Sequence, residues 1–166
     1  MKPLFAAGVG LAAFWIQVTL APHLGVFGVR PDVLLITVIL FGMRWVHPGL
    51  YIYAAIAGLA QDSFSHGVLG VYGISYLLTG ALANAAGLLI YEQNWLFLVA
   101  TVLALTLAEG LIVITVLQLL GSETAWLSWY FGRVVPQSVY HALLTPLVLW
   151  ALRRLGRLTR QLPLSG

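Results

Sequence analysis

Apolar residues run through this chain in six blocks, at 4–21, 32–46, 49–62, 69–90, 95–120 and 134–152. Between them lie short breaker clusters, PHLGVFGVRP, HPG, SHG, YEQN and GSETAWLSWYFGR, rich in residues that end regular elements. A hydrocarbon core about 30 Å thick takes roughly 20 apolar residues per spanning helix, and these blocks meet or approach that length. The pattern predicts an all-α integral membrane protein of six transmembrane helices in one membrane domain over 1–166, with a basic tail at 153–166. No repeat and no low-complexity segment interrupts it.

Blocks two and three are short. At 1.5 Å per residue, 32–46 rises only about 22 Å, and 49–62 rises no further. Their outer ends are therefore expected in a thinned bilayer or in a protein-lined recess. The turn Arg30-Pro31-Asp32 suits a helix start, since Pro31 has no amide to satisfy and Asp32 complements the positive end of the helix dipole.

Composition supports the lipid reading. Of 166 residues, 61% are hydrophobic and 8% charged, and the mean hydropathy is +0.97. A water-soluble fold with so few charges would expose large apolar patches. Lys2, the apolar run and Thr19-Leu20-Ala21 also outline a cleaved secretory signal. That run is long for a signal core, carries Trp15 and Gln17, and its removal would leave five spans, so it is read as a helix. The net charge of +3 is too diffuse for nucleic acid, and no cysteine is present for disulfide or thiolate chemistry.

Charge placement orients the helices. Six spans with both termini inside put Lys2, Arg44, Arg153, Arg154, Arg157 and Arg160 on the cytoplasmic side, facing anionic membrane lipid, and only Arg30 and Arg133 outside. This asymmetry follows the positive-inside rule. Trp126, Trp129, Tyr130 and Phe131 then anchor the outer interface, and Tyr91 and Trp95 the inner one.

Several polar residues fall at one depth. Glu109 is fourteen residues from Trp95 and His141 twelve from Arg153, rises of about 21 and 18 Å. Gln17 stands about 22 Å above Lys2, and Gln137 one turn above His141. Gln17, Glu109, Gln137 and His141 are expected to form a buried polar cluster. It either lines a cavity or relay or locks the bundle by hydrogen bonds. Gly80, Ala83, Asn84 and Gly87 share one face of the fourth helix and permit close packing, as do Gly8 with Ala12 and Ala6 with Gly10 on the first. Arg30, Asp32, Asp62, Ser63 and His66 form a candidate recess or partner-binding group at the outer ends of the short helices.

Motifs for catalysis are missing. No His-Glu-x-x-His, phosphate-binding glycine loop or G-x-S-x-G occurs, and the four histidines are scattered. Asp62, Ser63, Ser65 and His66 adjoin in one loop without the geometry of a triad. The reading is a non-enzymatic protein with no metal and no cofactor.

Three stretches carry a family resemblance: RPDVLLITVILFGM, GLYIYAAIAGLAQDSFSHGVLGVYGISYLLTGALA and PQSVYHALLTPLVLWALRRL. Together they resemble the bacterial rod shape-determining protein MreD. The resemblance implies a non-catalytic scaffold subunit of the cell-elongation complex in the inner membrane, supporting peptidoglycan synthesis and cell shape. It implies MreC, RodA and a class B penicillin-binding transpeptidase as partners, with MreB indirectly. It also implies a fold similar to the S-components of energy-coupling-factor transporters. Asp32 and Asp62 lie on the matching stretches; Glu109 does not. The rival reading is a small-solute-binding subunit of such a transporter, with the recess as its pocket.

Overall fold

The computed structural model describes residues 3–19, 23–25, 29–44, 48–65, 67–89, 95–122 and 125–158. The described chain is helical, with α1 (Pro3–Thr19), α2 (Val33–Gly42), α3 (Pro48–Asp62), α4 (Val71–Leu89) and α5 (Trp95–Leu119). The sixth rod is composite. A short α6 (Trp126–Trp129) leads through a π-helical turn (Tyr130–Val134) into α7 (Val135–Leu158). Three helical stretches are long and apolar enough to cross a membrane, within α4, α5 and the α6–α7 rod, while α1 and α2 are shorter apolar helices.

The smallest of the five single helices organises the bundle. α2 packs against α1, α3, α4, α5 and α7, and nine of its ten residues are buried. A helix that is apolar on nearly every face suits lipid or a protein interior, and VLLITVILFG, polar only at Thr37, is enclosed here by protein. Ten residues rise about 15 Å, half of a hydrocarbon core. α2 therefore starts and stops inside the protein.

Close helix approach at α2 comes from glycine. A Cβ on Gly42 would lie 2.6 Å from the Ala83 Cβ and 3.0 Å from the Gly80 carbonyl oxygen. The Asn84 amide also donates to the Gly42 carbonyl at 3.2 Å. A Cβ on Gly58 would similarly meet the Tyr72 carbonyl, where α3 crosses α4. The small face of α4 thus packs internally. On α1 the two small pairs diverge: Ala6 is buried and Gly10 faces the Tyr53 ring, whereas Gly8 opens onto nothing within 4 Å.

Element bounds depart from the apolar blocks in three places. α2 begins at Val33, with Asp32 as its N-cap, and ends at Gly42. The cluster at 121–133, read as a loop, is helical from Trp126 onward. Pro136 has no amide to donate to the preceding turn, and the helix widens into the π turn just before it. α7 continues to Leu158, so Arg153 and Arg154 lie on the helix rather than in a tail.

Arginines mark both described ends. Arg44 and Arg153 are near enough to act on each other electrostatically. The opposite end gathers the C-terminal parts of α1, α3 and α5 with the N-termini of α2 and α4, around a cavity that includes Arg30 and Arg133. Large apolar side chains such as Leu4, Trp15, Ile56, Leu143 and Trp150 face outward, as hydrocarbon surroundings require.

Replacing Gly42 with leucine forces α2 off α4, and overpacking of this kind costs about 1–3 kcal/mol or more. Gly8→Leu is expected to change stability by less than about 0.5 kcal/mol, as for an exposed position. Thermal unfolding of both variants in mild detergent checks the contrast.

Candidate functional site

A helix beginning inside protein leaves its first amides without water or intrahelical acceptors. α2 solves this with side chains from two helices, α1 and α7, and its own cap. The Asp32 carboxylate accepts from the Leu35 amide at 3.0 Å through Oδ1. Gln17 of α1 accepts from the Val33 amide at 2.9 Å. His141 of α7 accepts from the Asp32 amide at 2.9 Å through Nε2. Because Nε2 accepts, the ring proton of the neutral imidazole resides on Nδ1, which meets the Thr106 hydroxyl of α5 at 3.2 Å.

The second carboxylate oxygen of Asp32 accepts from the Tyr76 hydroxyl of α4. Asp32 is only 3% exposed and His141 fully enclosed. An anion at a helix start is also favoured by the dipole. Gln17 reaches further, donating to Gln61 of α3 at 3.4 Å. Every one of these side chains therefore ties α2, or the helix beside it, to another element.

Asp62 performs a parallel task. It is buried at the end of α3, and its two oxygens accept from the Tyr72 and Gly73 amides, each at 3.0 Å. The carboxylate thus caps the start of α4 from the preceding helix. Gly70, at φ +95°, supplies the backbone reversal that brings α4 back. The hydroxyls of Ser63 and Ser65 fold onto the Leu59 and Asp62 carbonyls, 3.0 and 3.2 Å away. The polar run between α3 and α4 is therefore a helix stop and a helix start built together. His66 lies outside the described residues.

Glu109 occupies the same layer on α5. It accepts from the Ser75 hydroxyl at 3.1 Å, beside Tyr76 in the chain. Glu109 and His141 have no direct bond; they are linked through the adjacent residues Ser75 and Tyr76 of α4 and then Asp32, and through Thr106, one turn from Glu109 on α5. Gln17 and His141 meet through the consecutive residues Asp32 and Val33. Gln137 is separate from these bonds and lines the cavity.

Above the layer the cavity encloses about 620 Å³. Arg30, Asp32, Gln17, Gln61, Tyr72, Arg133 and Gln137 give it polar walls, and Val18, Phe64, Val68, Val71, Val113, Leu117 and Trp129 apolar ones. Arg30 and Arg133 are exposed at its mouth. Asp62 and Ser63 are not among its lining residues, so the expected recess group divides between cavity and helix cap. Among the described residues, no three His, Asp or Glu converge as metal ligands.

Sequence reasoning passed over Tyr76, Ser75 and Thr106. A signal was present: Tyr72, Ser75, Tyr76 and Thr79 recur at helical spacing along one face of α4. Thr106 likewise stands one turn before Glu109.

Truncating His141 or Gln17 to leucine orphans one buried amide at the start of α2. Each is expected to cost about 1–3 kcal/mol in detergent unfolding. Glu109→Gln keeps an oxygen for Ser75 and is expected to cost less than Glu109→Leu. Equal losses for the two Glu109 variants would show that the hydrogen bond is not what the site requires.

The chain matches the family model described as rod shape-determining protein MreD over residues 4–157. No curated protein and no solved structure matches it, and the fold likeness to transporter S-components rests on no structural match. An all-helical bundle with three helices long and apolar enough to span a membrane fits a membrane protein of that kind. With nearly the whole chain matched, the protein belongs to the MreD family of rod shape-determining proteins.

Proposed function

We propose that this chain is a non-catalytic scaffold subunit of the rod complex, multi-pass in the bacterial inner membrane with both termini cytoplasmic. It binds MreC and, through the assembly, supports the RodA polymerase and a class B penicillin-binding transpeptidase, with MreB engaged indirectly. Peptidoglycan synthesis and cell shape are then its outputs. Family membership gives rod shape determination itself.

One observation carries the scaffold reading beyond the family. Among the described residues, three buried ionisable side chains are committed to holding helices: Asp32 and Asp62 cap them, and His141 accepts a backbone amide. A catalytic base needs a free lone pair directed at a reacting proton. The Nε2 lone pair of His141 is directed instead at the start of α2.

Partner docking follows the exposed surfaces. Because lipid provides little hydrophobic drive, a partner's helix is gripped by close packing and hydrogen bonds. Arg30, Ser63, Phe64 and Leu69 are exposed around the cavity end, which the proposed topology makes extracytoplasmic. Asp32 and Asp62 support this surface from beneath. The alternative face is α1 with α7, and on α1 Gly8 stands open among Leu4, Leu11 and Trp15.

Copurification with MreC separates these faces. Leu69→Glu is expected to reduce recovered MreC several-fold and Gly8→Leu to leave it unchanged, with both variants folded. Loss for Gly8→Leu alone moves the interface to α1. Recovery of an ATPase coupling module in place of MreC and RodA would favour the solute-transport reading and overturn the scaffold.

A further inference from the structure

The cavity holds chemistry that the scaffold reading uses only at its rim, where Arg30 and Phe64 are exposed. Its volume of about 620 Å³ lies within the range of small-molecule sites. Arg30 and Arg133 come to it from distant parts of the chain, one before α2 and one from the π turn. Among the described residues, no carboxylate forms an ion pair with either arginine. Arg133 is steadied instead by the Trp129 ring, 6.0 Å from its guanidinium carbon.

Asp32 supplies the one acidic side chain on the described wall. Its two oxygens already accept from the Leu35 amide and the Tyr76 hydroxyl, and it is almost wholly covered. The groups left to a ligand at the mouth are chiefly donors: two guanidinium forks and the Gln137 amide. Such forks match the oxygens of phosphate in paired, charge-assisted hydrogen bonds.

The rest of the wall selects among phosphates. Val18, Phe64 and Val68 line the cavity and are also 40%, 42% and 48% exposed. These three side chains form an apolar strip that faces both the cavity and the surroundings of the bundle. A bare phosphate ion would leave this strip and most of the volume unfilled. A headgroup phosphate with the beginning of its hydrocarbon chain would fill both.

We propose that the cavity is a binding site for a phosphate-bearing amphiphile, with the phosphate held between Arg30 and Arg133 and the tail leaving past Val18, Phe64 and Val68. The site shares Arg30 and Phe64 with the proposed docking surface, and its phosphate recognition is tested on the isolated chain.

The test uses the full chain purified in neutral detergent, titrated with phosphatidylglycerol, diacylglycerol or glycerol 3-phosphate. Binding is followed by native mass spectrometry and thermal unfolding. Phosphatidylglycerol is expected to bind and stabilise, with affinity falling about tenfold or more in the Arg30→Gln, Arg133→Gln double variant. Arg153→Gln, at the opposite end, is the control and is expected to retain full affinity. Both arginines of the pair are exposed, so the double variant is expected to unfold like the parent without ligand.

Stabilisation by glycerol 3-phosphate equal to that by phosphatidylglycerol, lost in the double variant, overturns the amphiphile, because the phosphate is then recognised without the tail. Equal binding of diacylglycerol, or undiminished binding of phosphatidylglycerol by the double variant, overturns the site. Protection by a glutamate-rich peptide, with none from any phosphate compound, also overturns it and makes the cavity a protein-docking pocket.

Discussion

The amide groups at the start of α2 constrain this structure more than any other feature. A helix of ten residues, apolar except for the Thr37 hydroxyl, is too short to cross the hydrocarbon core, so its polar start lies within the protein. A buried amide without an acceptor costs about as much as a lost hydrogen bond or more. Acceptors therefore have to come from the surrounding helices at fixed positions. Gln17, Asp32 and His141 provide them, and in doing so set the heights of α1 and α7 relative to α2. Tyr76 adds α4 through the far side of the Asp32 carboxylate.

A polar layer of this kind also gives lipid-embedded helices the specificity that apolar contact alone does not. In hydrocarbon, apolar faces slide or exchange at little cost, whereas hydrogen bonds and glycine contacts fix register. Here the two devices lie at opposite ends of α2. The Asp32 network holds one end, and Gly42 against Ala83 and Asn84 holds the other. Asp62 repeats the principle between α3 and α4. The resulting cavity end, held by hydrogen bonds from several helices, is consistent with the scaffold role proposed above.

Much of this was legible in the sequence, for physical reasons that differ by element. Long apolar blocks mark α4 and α5 because few other structures accommodate them. The start of α2 was visible in Arg30-Pro31-Asp32, but its end was not: the apolar pattern runs to Val46, while α2 itself stops at Gly42, packed against α4. Helical rise placed Gln17, Glu109 and His141 in one layer, yet rise carries no information about rotation. Their actual partners, an amide pair at Asp32 and Val33 and the hydroxyl of Ser75, depend on rotation. Tyr76 went unseen because a tyrosine in an apolar helix ordinarily reads as core. The helix from Trp126 was hidden by its Gly-, Ser- and Trp-rich approach and by the π turn before Pro136.

Amide hydrogen exchange in the detergent-solubilised chain tests the central claim most directly. Helix starts normally fray and exchange quickly. If side chains from α1 and α7 and the Asp32 cap hold the start of α2, the amides of Asp32, Val33 and Leu35 will exchange as slowly as those in the middle of α5. Exchange at those three positions as fast as in the Ser63–Ser65 turn would contradict the account.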